Sequence, residues 1–185
     1  MPRIAAPTLT DGEIAVRPLR DSDVAAIVAA CQDPEIPRWT RVPSPYTTED
    51  ARRFLAIVET EAAVGEGVAL AVADSRDRLV GTVALFGLDG TGRGEVGYWI
   101  AAHARGQGVA TRATVLLRDW AHAALGLTAV ELLAHRDNHA SQRVAERAGF
   151  VDTGAVRTVR TMPPGRREGY RAYVWRPPGG GPGGR

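Results

Sequence analysis

HARGQGVAT, residues 103–111, places two glycines, an arginine and a glutamine between an apolar strand-like run and a helix-like run. Glycine costs backbone entropy, so two of them in one turn imply that something comes close to the main chain. Three kinds of phosphate-binding loop share this outline. A P-loop has four residues between its glycines and then Gly-Lys-Ser/Thr. Here the spacing is wrong and the chain has no lysine, which excludes it. A dinucleotide fingerprint requires Gly-x-Gly-x-x-Gly at the first strand–helix unit. Gly106 and Gly108 fit that pattern, but Thr111 stands at the third position and several strands precede the loop. The remaining form is Arg-Gly-x-Gly-x-Ala, met here as Arg105-Gly106-Gln107-Gly108-Val109-Ala110.

Outward from this loop the elements alternate. On the N-terminal side, EIAVRPL (13–19) reads as a strand, with Ile14 and Val16 on one face. A helix follows, capped at Asp21 or Ser22, carrying Val24, Ile27, Val28 and Cys31 inward and stopped by Pro34. RWTRVPSPY (38–46) reads as a proline-rich loop. The second helix starts at a Thr47/Thr48 cap, turns Ala51, Phe54, Leu55 and Val58 inward, and ends at Gly65 and Gly67. Strands at 68–74, 79–88 and 95–101, joined by SRDR and DGTGRG, predict an antiparallel meander.

After the glycine loop comes a helix over about 109–124, with Val115, Leu116, Trp120 and Ala123 along its inner stripe. TAVELLAH supplies a fifth strand, ASQRVAERAGF a short helix ending at Gly149, and two strands near 151–161 and 170–175 close the pattern. The order β-α-α-β-β-β-α-β-α-β-β predicts an α+β fold: a mixed, mainly antiparallel sheet of six to seven strands with helices on both faces. One domain is expected over residues 1–176, followed by a disordered Gly/Pro tail at 177–185.

Composition narrows the function classes. At 185 residues, 44% hydrophobic and 24% charged, the chain is suited to one soluble domain with a full core. No apolar run is long enough for a membrane span, and MPRIAAPTLTDGE lacks the core of a secretion signal, so a cytoplasmic protein without a membrane partner is expected. The single cysteine, Cys31, excludes an internal disulfide framework and a cysteine-based zinc site. The four histidines have no metal-ligand spacing, so no metal is expected. All 23 basic residues are Arg, a bias that is no evidence for phosphate recognition. Seven of them lie between Arg157 and the C-terminus against one acidic residue, Glu168. This is a basic edge, or one favouring an anionic ligand, but no nucleic-acid motif accompanies it.

Arg105 to Ala110 resembles the pyrophosphate loop of the GNAT family, the acetyl-coenzyme A-dependent N-acetyltransferases. GEVGYWI before the loop, and RDNHASQRVAERAGF after the next strand, are similar to the branch of ribosomal-protein N-terminal acetyltransferases (RimJ/RimL-like). The element order is also that family's. The resemblance implies that acetyl-coenzyme A seats its diphosphate on main-chain N–H groups of Gln107 to Ala110. Those groups stand at a helix mouth, where they lack intrahelical partners and carry part of the helix dipole. A side chain on Gly106 or Gly108 would hold the phosphate away. The dipole gives only about 0.3–1 kcal/mol, so direct N–H bonds supply most of the grip, and Arg105 is expected to add a charge-assisted one.

The resemblance further implies that strand 95–101 parts from strand 129–135, so that Trp99, Ile100 and Ala101 offer a free edge to the pantetheine arm. A main-chain N–H near Val96 to Tyr98 would polarise the thioester carbonyl. Glu95 is the candidate base for the amine proton; its plain alternative is an exposed cross-strand partner. Ser141 is the candidate donor to the leaving thiolate, and the alternative is a helix cap, two roles that can coexist. Asn138 matches the family's cofactor-contacting asparagine, or is a turn former. Where many members carry a tyrosine acid, this chain has Ala145. Trp39, Arg38 and Tyr46 are candidate substrate contacts on the acceptor side, or parts of a lid packed for stability.

The implied activity is acetyl transfer to a primary amine by direct attack. An α-amine (pKa about 7.7–8) is partly neutral at pH 7, whereas a lysine amine must first lose a proton at about 4–5 kcal/mol, which favours a protein N-terminus or a small α-amino compound. Two alternatives stay open. One is another acyl donor such as succinyl-coenzyme A, which Arg38 or Arg41 would suit. The other is a coenzyme A-binding module without turnover. Either a monomer or a homodimer is compatible with the sequence.

Overall fold

The computed structural model describes residues 2–160 and 167–178. Its eight strands are β1 (Leu9–Thr10), β2 (Ala15–Pro18), β3 (Val68–Ala73), β4 (Leu79–Phe86), β5 (Arg93–Ile100), β6 (Ala129–His135), β7 (Val151–Arg160) and β8 (Arg167–Trp175). They form one sheet in the order β1-β2-β3-β4-β5-β6-β8-β7. All neighbours are antiparallel except β5 and β6. The α+β class and the β3–β4–β5 meander are as the alternation predicts.

Among the described residues five α-helices flank the sheet: α1 (Val24–Ala30), α2 (Glu35–Trp39), α3 (Thr48–Val64), α4 (Val109–Leu125) and α5 (His139–Arg147). β3 (VALAVA) is buried along its whole length, as a strand covered on both faces must be. One core cluster joins Val16, Leu70, Val83, Val96, Ile100, Val130 and Leu132 to Ala113, Leu117 and Ala121 of α4 and Ala145 of α5. The other joins Ala71, Leu79 and Trp99 to Ile27 of α1, Ile36 of α2 and Ala51 of α3. Strand alternation therefore separates Val96, Tyr98 and Ile100, which face α4 and α5, from Glu95, Gly97 and Trp99, which face the first three helices.

Local chemistry sets the helix ends. Thr47 caps α3 in a reciprocal box: its hydroxyl accepts from the Asp50 N–H at 3.2 Å while the Asp50 carboxylate accepts from the Thr47 N–H at 2.9 Å. Gly65 ends that helix in the left-handed region. Arg17, 4% exposed on β2, is satisfied by two bonds to Asp23 (2.8 and 2.9 Å) and one to Asp77 (2.6 Å).

Two elements depart from the sequence reading. The sheet has eight strands rather than six to seven, because the two-residue β1 pairs with β2 around a turn fixed by Asp11. Two residues are too few to show a period. Within the expected loop at RWTRVPSPY the chain makes part of a further helix, α2. Pro34 precedes it and Pro37 lies in its first turn, where a missing N–H loses no intrahelical bond. Proline thus stops α1 and starts α2. The tail beyond residue 178 and most of MPPGRREG lie outside the described residues.

Candidate active site

β5 and β6 run parallel only from Arg93↔Ala129 to Val96↔Leu132. Both strands continue, to Ile100 and His135, without pairing further, so the sheet opens into a wedge. Of the three residues expected to line its free edge, the register favours one. The Ala101 N–H bonds the Val80 carbonyl on β4 at 2.8 Å, and Trp99 lies opposite Thr82. Backbone groups alternate in direction along an antiparallel strand, so those of Ile100 face the wedge, and so do those of Tyr98. The Trp99 side chain is buried in the inner cluster.

The mouth of α4 closes one end of the wedge. Gly106 and Gly108 adopt φ of 76° and 79°, with no atom within 4 Å of where a Cβ would stand. Conformation, not crowding, requires glycine here. Gly108 is the N-cap of α4, and its carbonyl accepts the Arg112 N–H at 3.0 Å. Among the described residues, the N–H groups of Gln107, Gly108, Val109 and Ala110 take no main-chain partner. These are the donors an anion would need. The Gln107 side chain folds back onto the His103 carbonyl at 2.9 Å. Arg105 departs from its expected role: its Nε donates to the Ile100 carbonyl at 2.8 Å and its Nη1 pairs with Asp33 at 2.6 Å. The guanidinium braces the loop against β5 and the segment between α1 and α2, rather than reaching for phosphate.

Glu95 stands on β5 just before the strands part, directly beside Glu131 of β6. Burial, with repulsion from Glu131, pushes its carboxyl up to about 7 against the weaker pull of Arg41 and Arg157. Glu131 is held by Arg157 at 2.8 Å. On the same face of β6, the ring of His135 lies 5.4 Å from Trp39 and 5.3 Å from Tyr170. Trp39 is fixed by its Nε1 bond to Glu35 at 3.0 Å and lies under the Arg38 guanidinium. Tyr46, by contrast, is buried in the inner cluster, away from the exposed surface.

The opposite face presents hydroxyls. Asn138 caps α5, its Oδ1 accepting the Ser141 N–H at 3.0 Å. Ser141 is thus relieved of capping, and its Oγ is hydrogen-bonded to the Tyr98 hydroxyl at 3.0 Å. Burial pushes the Tyr98 phenol up to about 12. Sequence reasoning missed Tyr98 and Glu131. Alternation places Tyr98 on the face opposite Glu95 and Glu131 mid-strand in AVELLAH, but their partners depend on register and tertiary packing. Among the described residues no cluster of three or more His, Cys, Asp or Glu could hold a metal ion, and no helix is long and apolar enough to cross a membrane. Cys31 is buried, its thiol pushed up to about 12, which makes it inert packing.

A parallel pair that opens beside an anion-ready helix mouth, with a carboxyl on one face and a hydroxyl on the other, defines a class of acyl-transfer enzyme. The family profile described as an acetyltransferase (GNAT) domain matches residues 13–151, and the chain belongs to that family of acetyltransferases. It is 39% identical over 80 residues to "Putative ribosomal N-acetyltransferase YdaF" of Bacillus subtilis, a stretch covering 43% of this chain and 44% of that protein. It is 27% identical over 158 residues to "Uncharacterized N-acetyltransferase YoaA" of the same organism, covering 82% of this chain and 86% of the other. Among solved structures, Mycobacterium smegmatis RimJ in complex with CoA-disulfide superposes with a TM-score of 0.81 at 18% identity, covering 92% of this chain and 86% of that one.

Proposed function

We propose that residues 1–176 form one acyltransferase domain that moves an acetyl group from acetyl-coenzyme A to an α-amine, on a protein N-terminus or a small amino compound, in the cytoplasm. The observation that carries this is Glu95: a carboxyl beside the wedge whose affinity for a proton, near pH 7, matches the amine it must deprotonate. The residues fit the donor. The open N–H groups of Gln107 to Ala110 would take the diphosphate, and the wedge-facing backbone of Tyr98 and Ile100 would take the pantetheine arm. Likeness to YdaF, by its name a putative ribosomal N-acetyltransferase, supports a ribosomal-protein acceptor.

In this reading the neutral amine attacks the thioester carbon from the face that carries Glu95, Trp39 and His135. The N–C bond forms, and Glu95 takes the amine proton, directly or through water. The C–S bond then breaks with its electron pair on sulfur. Ser141, on the other face, donates a hydrogen bond to the thiolate, which water finally protonates. The base and the leaving-group donor need not compete for space because the sheet separates them. Arg38 and Trp39 are the candidate acceptor contacts.

The test is thiol release with acetyl- and succinyl-coenzyme A against N-terminal peptides, lysine peptides and aminoglycosides. Turnover is expected with acetyl-coenzyme A and an α-amine, falling about 100-fold in Glu95→Gln with coenzyme A affinity retained. Equal turnover in that variant removes the base. Coenzyme A binding without release across the panel would instead mark a binding module.

A further inference from the structure

The Tyr98 side chain has no part in the chemistry above, yet its hydroxyl meets Ser141 at 3.0 Å in a partly buried contact. A serine hydroxyl carries one hydrogen and two lone pairs. At the third position of α5 the usual local use of that hydrogen is a carbonyl one turn back; among the described residues no such bond forms. The cap is made by Asn138, and the one side-chain partner seen for the Ser141 Oγ among the described residues is the Tyr98 hydroxyl. We infer that Tyr98 is a positioning residue for the leaving group: by donating to the Ser141 oxygen, it turns the serine hydrogen outward, toward the departing sulfur of the acyl donor. This rests on the proposed role of Ser141.

The arrangement works in one direction. Tyr98 is partly buried, and burial keeps its phenol protonated well above neutral pH, so it has a hydrogen to give the Ser141 oxygen and releases no proton. Were the bond reversed, Ser141 would spend its hydrogen on Tyr98 and present only lone pairs to a thiolate. In the step itself, the amine proton goes to Glu95 and the C–S electron pair goes to sulfur, which receives the Ser141 hydrogen bond. Both hydroxyls end the turnover with the hydrogens they began with.

The test is a double-variant cycle of Tyr98→Phe and Ser141→Ala, read as kcat at saturating acetyl-coenzyme A, with the KM of the amine, coenzyme A affinity by calorimetry and thermal unfolding alongside. Ser141→Ala is expected to lower kcat about 30-fold and Tyr98→Phe about 10-fold. The double variant should be no slower than Ser141→Ala within about 2-fold, with KM unchanged. A Tyr98→Phe enzyme at wild-type kcat, beside an impaired Ser141→Ala, overturns this inference alone, as do losses that multiply in the double variant. A Ser141→Ala enzyme at wild-type kcat overturns it together with the proposed role of Ser141. If Tyr98→Phe does not fold, 3-fluorotyrosine at position 98, a stronger donor of nearly the same shape, is expected to keep or raise kcat; a fall overturns the inference.

Discussion

Glu131 sets where on the pH scale Glu95 works, and its replacement gives a shift of known sign. The two residues are register partners in parallel strands, so their carboxyl groups lie on one face about 5–6 Å apart, close to the strand spacing. At an effective dielectric constant of about 20, two like charges at that distance repel by about 3 kcal/mol. Solvent and salt at the open end of the wedge roughly halve this, which leaves about one pH unit. Glu131→Gln removes the repulsion and frees Arg157, now paired at 2.8 Å, to attract Glu95. Both effects favour the carboxylate, as does Arg41, while desolvation, the larger cause of the rise, is untouched. The acidic inflection of kcat/KM should therefore fall from about 7 by about one unit and stay above that of an ordinary glutamate. A pH–rate profile from pH 5 to 9 reads it, with Glu95→Gln as the variant lacking that limb. An inflection that stays within about 0.3 unit, or moves upward, would refute the pairing as the source of the shift.

Three further outcomes follow from the same geometry. Folding raises the Glu95 pKa from 4.5 to about 7, so the native state binds the extra proton and stability falls as pH rises through that window. Glu95→Gln escapes this loss, and after discounting for solvent screening of this partly buried carboxyl it should be more stable than wild type by about 1–2 kcal/mol in urea at pH 8, with no gain near pH 4. Gly108→Ala meets no atom but must hold φ at 79°; it should lose about 1–2 kcal/mol and weaken coenzyme A more than about 10-fold by calorimetry. An unchanged affinity would show that the diphosphate sits elsewhere. Arg17→Ala leaves Asp23 buried without its partner, so a loss of about 3–5 kcal/mol, or about 10 °C in the melting temperature, is expected with coenzyme A affinity retained.

What the sequence made legible depended on how local the cause was. The α3 ends were readable because Thr47, Asp50 and Gly65 act within one turn, and the α4 mouth because two glycines and a helix start are contiguous. β1 and α2 were not, since a two-residue strand shows no period and proline reads as a stop before it reads as a first turn. The Arg105 residue was visible but its partner was not: Asp33 and the Ile100 carbonyl come within reach only after folding. An arginine beside a phosphate loop invites a ligand contact, and tertiary structure gave it a brace instead.

The same distinction explains the candidate site. Glu95 and Ser141 each show in a local motif, but what activates them is cross-strand or cross-layer. Glu131 reaches Glu95 only through the β5/β6 register, and Tyr98 reaches Ser141 only because α5, packed on β6, lies over the same face of the sheet. Period-two alternation sends Glu95 and Tyr98, three positions apart, to opposite faces. One strand therefore supplies a carboxyl near neutral pH to one side of the wedge and a hydrogen-bond donor to the other. A single-residue slip of β5 against β4 would exchange these faces, and it is resisted by Val96 and Ile100 in one core and Trp99 in the other. Packing that fixes the register of β5 thus also fixes which side of the sheet meets the amine and which meets the leaving sulfur.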